Sequence, residues 1–137
     1  MERSARISEL MTSPVQTVGL DAKLSEVRRV LTHGNFHHVP VVDGDTLVGI
    51  VSSRDLLRVY RASSSKHSEK ADDLLDGGST LAGVMSTELA TIRSDENAEA
   101  AIDLIASGAI HSVLVLDREE RLVGIVTDTD LLEYLCS

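Results

Sequence analysis

Cysteine and aromatic residues are scarce in this chain. Of its 137 residues one is Cys, one is Phe, two are Tyr and none is Trp. The single Cys136 has no partner for an internal disulfide, which favours a reducing compartment. Without aromatic side chains to form a platform, the chain is a poor match for a protein that stacks single-stranded nucleic acid.

Positive charge is also in short supply. Asp and Glu number 22 against 13 Lys and Arg, which gives a net charge of −9 at pH 7. Such an excess repels nucleic acid phosphates and anionic membranes. No apolar run has the length of a membrane span, and the charged start at Met1–Arg6 does not lead into a secretory signal. We therefore expect a cytoplasmic protein that binds neither nucleic acid nor membrane.

An internal repeat covers most of the chain. Adding 74 to a residue number aligns Met11 with Met85 and Asp43 with Asp117. The same offset aligns Thr17 with Thr91, Asp21 with Asp95, Gly34 with Gly108, His37 with His111, Val39 with Val113 and Val41 with Val115. Beyond Asp43 the offset becomes 75, because the second copy has one extra residue in a turn, where an insertion is tolerated best. The long register predicts two copies of one structural unit.

Each copy predicts a short helical lead-in followed by the order strand, helix, strand, strand, helix. The first copy comprises lead-in 7–11, strand 15–18, a helix capped by Asp21 and ending at Gly34, strands 39–42 and 47–51, and helix 55–61. The second comprises lead-in 81–85, strand 89–92, a helix from near Asp95 to Gly108, strands 113–116 and 122–126, and helix 130–135. We therefore predict a first unit in 1–61, a polar linker in 62–78 with at most one helical turn, and a second unit in 79–137.

One seven-residue pattern occurs at the same place in both copies. Gly49–Asp55 reads Gly-Ile-Val-Ser-Ser-Arg-Asp, and Gly124–Asp130 reads Gly-Ile-Val-Thr-Asp-Thr-Asp. Each predicts a buried strand that breaks into a helix, whose free N–H groups and dipole favour an anion. The same residues also fit a capping box, with Ser or Thr as N-cap and Asp at the third helical position, which needs no ligand. Both interpretations remain open at this point.

The repeat resembles a pair of cystathionine β-synthase (CBS) domains over residues 7–135. The resemblance rests on the paired Gly-apolar-apolar-Ser/Thr-x-x-Asp patterns, on Met11-Thr12-Ser13-Pro14 and Met85-Ser86-Thr87, and on His38-Val39-Pro40-Val41-Val42. It implies a mixed α/β (α+β) fold. In such a fold two β-α-β-β-α CBS motifs are related by a pseudo-twofold axis and packed through their sheets. It further implies inter-motif clefts that hold adenosine-containing ligands.

The resemblance also implies roles for individual residues. The ribose hydroxyls would bind Asp55 and Asp130, and the phosphates would bind the hydroxyls of Ser52 and Thr127. The base would be surrounded by Thr17, Val18, His38, Val39 and Pro40 in one copy, and by Thr91, Ile92, Ser112 and Val113 in the other. A carboxylate accepts both hydrogen bonds of a cis-diol well, and a helix N-terminus favours phosphate, so this division is chemically sound.

The two copies differ in charge beside the pattern. Arg54 can pair with a phosphate tail, whereas Asp128 in the second copy would repel one unless a cation such as Mg²⁺ intervenes. We therefore hypothesise that the first site takes the more phosphorylated nucleotide. The second site would take a neutral or cationic adenosine compound, or nothing.

These inferences predict a regulatory protein and not an enzyme. We expect no obligatory cofactor, an adenine nucleotide ligand (AMP, ADP or ATP, with or without Mg²⁺), and output to an unidentified regulated protein. The closing helices carry more apolar surface than a single domain needs. This surface is either buried within the pair or forms a homodimer face, which the resemblance implies, and we expect a homodimer. One alternative is a structural or protein-interaction module whose patterns act only as caps.

A second alternative is a metal-binding stress protein. His33, His37, His38 and His111 with Cys136 suggest it, but none of their spacings is a zinc signature. His37 and His38 are neighbours in an extended run, so their side chains point to opposite faces. We therefore assign no metal ligand.

Overall fold

The computed structural model describes residues 5–34, 37–62, 71–108 and 110–136. The helices are α1 (Ile7–Leu10), α2 (Leu24–Gly34), α3 (Ser53–Ala62), α4 (Ala71–Gly78), α5 (Leu81–Val84), α6 (Ala98–Ala106) and α7 (Asp128–Cys136). The strands are β1 (Val18–Gly19), β2 (His38–Asp43), β3 (Thr46–Ser52), β4 (Thr91–Arg93), β5 (Ser112–Leu116) and β6 (Leu122–Thr127).

The strands form two small sheets of the same topology, in the orders β1-β2-β3 and β4-β5-β6. In each sheet the first strand is parallel to the second, and the second is antiparallel to the third. Both hairpins also contain a register shift at the equivalent point of the middle strand, Val41/Val42 and Val115/Leu116. The mixed α/β class and the repeated strand-helix-strand-strand-helix order are confirmed.

The compact units of the structure do not follow the order of the repeat. One unit contains residues 16–88, and the other contains residues 1–15 together with 89–137. Each lead-in therefore belongs to the unit that holds the other copy's sheet. Thr12 exchanges two backbone hydrogen bonds with Ile125, at 2.8 and 3.1 Å, and Ser86 exchanges two with Ile50, at 2.8 and 3.0 Å. The predicted bounds 1–61, 62–78 and 79–137 describe the sequence repeat and remain a prediction as domains.

Each unit has its own apolar core. In the unit 16–88, Leu81 of the second lead-in joins buried residues of the first copy such as Val39 and Val51. In the other unit Ile7 is fully buried and joins Val113 and Val126 of the second copy. Burial of one such aliphatic side chain contributes about 1.5–3 kcal/mol to stability. The exchanged lead-ins therefore help to stabilise the sheets on which they pack.

Two glycines allow the lead-ins to lie directly on the sheets. A Cβ atom at Gly49 would lie 2.5 Å from Sδ of Met85 and 3.0 Å from the carbonyl oxygen of Ser86. A Cβ atom at Gly124 would overlap Sδ of Met11 in the same way. The Met and the Gly that recur in both copies therefore contact each other: Met85 lies against Gly49, and Met11 lies against Gly124.

The segment predicted as a linker contains a helix that packs into the first core. Residues 63–70 lie outside the described part, but α4 runs for two turns where one at most was expected, and it buries Leu74 and Leu75. Asp76 accepts hydrogen bonds from the backbone N–H of Ser25 at 2.9 Å and from its hydroxyl at 2.6 Å. It thereby satisfies a free N–H in the first turn of α2.

Both helices begin later than predicted: α2 begins at Leu24, two residues after the start that an N-cap at Asp21 implies, and α6 begins at Ala98, three residues after Asp95. Both aspartates lie in the turn that leaves the preceding strand. This turn is fixed by backbone bonds such as Ala22 N–H to the carbonyl of Gly19 at 3.0 Å. A chain leaving a sheet must complete the turn before it can begin a helix.

Several other boundaries also shift. Strands β1 and β4 begin three and two residues later than expected, because parallel pairing with the middle strand begins only at Val18 and Thr91. Helices α3 and α7 begin two residues earlier than expected, at Ser53 and Asp128. The third helical position, and not the first, holds the motif carboxylate.

Candidate functional site

The first candidate site is the junction between β3 and α3. The backbone N–H of Ser52 donates to Oδ2 of Asp55 at 2.8 Å, and its hydroxyl donates to the same oxygen at 2.9 Å. In return, the backbone N–H of Asp55 donates to Oγ of Ser52 at 3.2 Å. This is the predicted capping box, closed in both directions.

The junction between β6 and α7 repeats this arrangement. Oδ2 of Asp130 accepts from the backbone N–H of Thr127 at 2.9 Å and from its hydroxyl at 3.2 Å. The N–H of Asp130 donates to Oγ1 of Thr127 at 3.3 Å. In both junctions the box uses one carboxylate oxygen and leaves Oδ1 outside it.

The two Oδ1 atoms have different neighbours. Oδ1 of Asp55 lies 3.6 Å from a guanidinium nitrogen of Arg58, a largely exposed side chain one helical turn further on. Oδ1 of Asp130 accepts a long hydrogen bond, 3.4 Å, from the hydroxyl of Thr12 in the exchanged lead-in. The sequence reasoning missed both neighbours. The spacing of Asp55 and Arg58 could have indicated the first, whereas Thr12 is 118 residues from its partner.

Of the residues predicted to surround the base in the first copy, His38 and Val39 are placed beside the capping box by the strand register, whereas Val18 lies on β1, on the far side of β2. His38 is the strand partner of Ser52, and Val39 follows it on β2. Thr17 and His38 are half-buried, whereas Val18, Val39 and Pro40 are buried. Val39 is fully buried in the core, so its side chain serves packing and is not exposed to a ligand.

The equivalent residues of the second copy repeat this placement. Ser112 is the strand partner of Thr127, and Thr91 pairs with Leu114. Ser112 is half-buried and Thr91 is exposed, whereas Ile92 and Val113 are buried in the core. The sheet register thus brings a polar residue of the middle strand next to each capping hydroxyl.

A cleft of about 410 Å³ lies beside Asp55 in the unit 16–88. Its walls are formed by Asp55, Arg58, Val59 and Ala62 of α3, and by Gly78, Ser79, Gly83 and Val84 of the following segment. This volume is within the range of small-molecule sites, toward its lower end. Residues 78–84 were not expected near the first junction, because the sequence repeat assigns them to the linker and the second copy.

The two junction helices carry opposite charge. Helix α3 has three arginines, Arg54, Arg58 and Arg61, against the one carboxylate of Asp55. Helix α7 has no basic residue and three carboxylates, Asp128, Asp130 and Glu133. Arg54 and Asp128 are both exposed in the first turns of their helices. The charge difference predicted from the sequence therefore extends along both helices.

Neither a metal cluster nor a membrane span was found in the described ranges. Among residues 5–34, 37–62, 71–108 and 110–136, no three His, Cys, Asp or Glu side chains form a group that could hold a metal ion. Within the same ranges no helix is long and apolar enough to cross a membrane.

This architecture and its sequence match a known protein family. The family model described as CBS domain matches residues 7–62 and 81–137, which is most of the chain. The chain belongs to the CBS domain family. Both matched ranges begin at a lead-in helix and include one capping-box junction, so the CBS repeat and the repeat found in the sequence agree.

Three relatives are similar to most of this chain. A CBS domain-containing protein of Dictyostelium discoideum is 30% identical over 94% of this chain and 90% of its own length. The A-adding tRNA nucleotidyltransferase of Geobacter sulfurreducens is 34% identical over 93% of this chain, but the chain spans only 13% of that protein. It likewise spans 23% of the homoserine O-acetyltransferase of Methanohalobium evestigatum, at 29% identity over 91% of the chain.

Solved structures of CBS pairs have the same fold. The CBS domain pair of protein MJ0100, in complex with 5-methylthioadenosine and S-adenosyl-L-methionine, has a TM-score of 0.80 at 24% identity, and 98% of each chain is covered. CBSX2 in complex with AMP has a TM-score of 0.76 at 22% identity, with 96% of each chain covered. The CBS domain of a bacterial CNNM/CorC family Mg²⁺ transporter in complex with ATP has a TM-score of 0.77 at 20% identity, covering 96% of this chain and 87% of that one.

Proposed function

We propose that this CBS domain pair binds adenosine-containing ligands of the AMP, ADP and ATP class at its two capping-box junctions, and that it acts as a regulatory module without catalysis. The proposal rests on the observation that only one of the two oxygens of each junction carboxylate is used by the capping box. Oδ2 of Asp55 and Asp130 holds the cap, while Oδ1 lies outside the box and can accept a ribose hydroxyl. Of the predicted site residues only Asp55 lines the neighbouring cleft, so the proposal rests on the carboxylates and not on the cleft.

The ligands of similar CBS pairs support the same class of compound. MJ0100 was solved with adenosine thioether and sulfonium compounds, CBSX2 with AMP, and the CNNM/CorC domain with ATP. These ligands share an adenosine and differ in the charge of the 5′ substituent. The adenosine is therefore the common element, and the charge near each junction is the property that we expect to select among them.

Thermal shift with Asp55→Asn and Asp130→Asn tests the proposal. Asn keeps one carbonyl oxygen for the cap but cannot accept two hydroxyls of a diol, so folding and ligand binding are separated. A ligand at 100 times its dissociation constant adds about 2.7 kcal/mol to the stability of the wild type. We expect this shift to fall in the variant whose site is occupied. Ser53→Ala, one residue into α3, is the matched control.

A 2′-deoxynucleotide provides a second test that leaves the protein unchanged. If the carboxylate binds the diol, 2′-deoxy-AMP should produce a much smaller shift than AMP. Equal shifts for the two nucleotides would contradict the assigned ribose role. If no nucleotide shifted the transition of well-folded wild-type protein, the two junctions would act only as helix caps.

We further propose that the junctions differ in preference. The Arg54 site, with Arg58 beside its carboxylate, is suited to ATP or ADP, and the Asp128 site to a neutral or cationic adenosine compound, or to a nucleotide with Mg²⁺. Retention of ATP binding in Asp55→Ala together with its loss in Asp130→Ala would show the assignment to be wrong. Binding of S-adenosylmethionine should depend on Asp130 and should not change in the Asp55→Ala variant.

We propose that the module passes on its signal by associating with another protein or with a second copy of itself. A ligand shifts a conformational equilibrium only by its differential affinity for the two states, so a sensor must be read through a partner or through its own assembly. We propose a cytoplasmic homodimer that reports ligand occupancy to a regulated protein. Sedimentation equilibrium, with and without the nucleotide that gives the largest thermal shift, tests whether the protein is a homodimer.

A further inference from the structure

The cleft beside Asp55 contains a cation that the proposed ligand roles leave unassigned. Three of its lining residues lie three, four and seven positions after Asp55 and so share its face of α3: Arg58, Val59 and Ala62. The rest of the lining consists of uncharged residues between 78 and 84. Among the described residues that line the cleft, Arg58 alone carries positive charge. The cleft therefore offers an anion one charged partner.

The guanidinium of Arg58 lies close to the carboxylate oxygen that is proposed to bind ribose. Its nearest nitrogen is 3.6 Å from Oδ1 of Asp55, which is too long for an ordinary hydrogen bond. The Arg58 side chain is 70% exposed, so packing does not fix its direction. A ribose bound at Oδ1 would thus have beside it a cation that can turn toward the rest of the ligand.

The Ser52 hydroxyl, which the family resemblance assigns to phosphate, is already used by the cap. It donates to Oδ2 of Asp55 at 2.9 Å, and its oxygen accepts the backbone N–H of Asp55 at 3.2 Å. A hydroxyl has one proton to donate. While the capping box is closed, Ser52 has no proton for a phosphate, and a phosphate at this junction needs another side-chain donor.

We propose that Arg58, and not Arg54, selects phosphorylated ligands at the first junction, with the 5′ phosphates lying in the cleft along α3. The guanidinium can donate two parallel hydrogen bonds to a phosphate, and Arg54 does not line the cleft. From Asp55 to Ala62 the α3 wall is about 10 Å long, because a helix rises about 1.5 Å per residue. This inference rests on the proposed nucleotide site and names the residue that reads its phosphates.

Calorimetric titration with ATP, AMP and adenosine, without Mg²⁺, tests the assignment. An Asp130→Asn background is used so that binding reports the first junction. Arg58→Gln should weaken ATP binding by about tenfold, because it removes a charged donor. Adenosine should bind Arg58→Gln as tightly as the parent or more tightly, since it has no phosphate and Oδ1 loses a competing neighbour. Arg58→Lys should keep part of the ATP affinity, because the charge remains.

Arg61→Gln is the matched control. It removes the same charge from the same helix, at a position that does not line the cleft, and should leave ATP affinity within about twofold of the parent, because exposed charges at a distance are screened by salt. Arg58 and Arg61 are both exposed, and far-UV circular dichroism checks the fold.

A substitution at the far end of the cleft tests the direction of the phosphates. Ala62 is an exposed lining residue, and Ala62→Leu places a larger side chain there. It should weaken ATP more than AMP, because a monophosphate ends nearer to Asp55. Equal effects on the two nucleotides, or no effect on either, would overturn the placement along α3.

The outcomes separate this inference from the proposed function. If the Asp130→Asn protein bound neither ATP nor adenosine, the nucleotide site at Asp55 and the role of Arg58 would fall together. If it bound ATP in a manner that requires Asp55, the site would stand. In that case, unchanged ATP affinity in Arg58→Gln, an equal loss for ATP and adenosine, or a larger loss in Arg54→Gln would overturn the role of Arg58 alone.

Discussion

At the scale of single residues, the junction carboxylates act as caps, and their binding of a ligand is the proposal made above. Asp55 closes a complete capping box with Ser52, and Asp130 does so with Thr127. The capping interpretation is thus correct, and it leaves one oxygen of each carboxylate for a ligand. Capping and ligand binding are compatible because a carboxylate has several acceptor positions.

The first prediction concerns the cap. Ser52→Ala and Thr127→Ala should each lower the free energy of unfolding by about 1 kcal/mol, because each removes the N-cap acceptor and leaves a helical N–H unsatisfied. Urea unfolding at neutral pH measures the loss, with Ser53→Ala as the control. Equal stability of Ser52→Ala and Ser53→Ala would contradict the cap.

The second prediction concerns the glycine contacts. Gly49→Ala should destabilise the protein by roughly 1–3 kcal/mol, because the new Cβ must displace Met85 and approaches the backbone of Ser86. Gly77→Ala is the matched control. A Cβ at Gly77 meets nothing within 4 Å, and Ala is the better helix former, so stability should rise by about 0.5–1 kcal/mol. Similar losses in both variants would show that the Met85 contact is not the cause.

At the scale of elements, helix α4 is the main departure from what the sequence predicted. Its polar flanks indicate a linker, yet Leu75 lies in the first core and two aspartates bind α2. Arg28 donates from Nε to Asp72 at 2.6 Å and from a terminal nitrogen at 3.1 Å. The hydrogen bond from Arg28 lowers the pKa of the Asp72 carboxyl below its ordinary 3.8, and the same bond raises the pKa of Arg28.

The third prediction is the pH dependence of this contact. Because the pKa of Asp72 is lower in the folded protein, the unfolded chain binds more protons over the interval between the two values, and stability rises with pH there. The contribution is complete above the ordinary pKa of 3.8 and is lost as pH falls through the lower folded value. The difference in unfolding free energy between wild type and Asp72→Asn should therefore be constant near neutrality and shrink below about pH 4.

Urea unfolding of both proteins from neutral pH to about pH 2.5 measures this difference. Asp73→Asn is the control, since it carries the same change on an exposed neighbour in α4. A difference that grows as pH falls would have the wrong sign and would contradict the contact. Both side chains of the pair are more than one third exposed, so we expect a small effect that about 0.5 M salt reduces.

At the scale of the whole molecule, the two copies exchange their lead-ins. Ile7 belongs to the lead-in of the first copy and is fully buried in the core of the second, while Leu81, from the lead-in of the second copy, is buried in the core of the first. Backbone pairing of Thr12 with Ile125, and of Ser86 with Ile50, extends each exchange onto a hairpin strand. Neither unit therefore contains one whole copy of the sequence repeat.

The fourth prediction tests whether each lead-in stabilises the core of the other copy and not the core of its own copy. Ile7→Ala should lower stability by about 2–4 kcal/mol through loss of buried apolar volume. Hydrogen exchange followed by mass spectrometry should accelerate in peptides covering 112–127, since these lie in the unit of Ile7. Leu81→Ala is the matched variant and should accelerate peptides covering 38–52. The reverse assignment of the two effects would contradict the exchanged arrangement.

What the sequence alone determined is local or periodic. The repeat, the mixed strand and helix content, the hairpins and both capping boxes depend on residues a few positions apart, such as Ser52 and Asp55, or on alternation of apolar side chains. Helix starts failed at Asp21 and Asp95 because a favourable cap residue does not by itself begin a helix while the chain is still turning away from a strand. The CBS family was identifiable because these local patterns recur in order.

Only the tertiary structure decided which core each lead-in enters, that α4 packs against α2, and what lies beside Oδ1 of each junction carboxylate. The contact between Thr12 and Asp130 joins residues 118 positions apart, and no periodicity records it. Ile7 and Leu81 are both apolar, and no local pattern in the sequence says which of the two similar cores will bury each of them. Packing over long sequence separations makes that choice, since it depends on the summed fit of many weak contacts and not on any local preference.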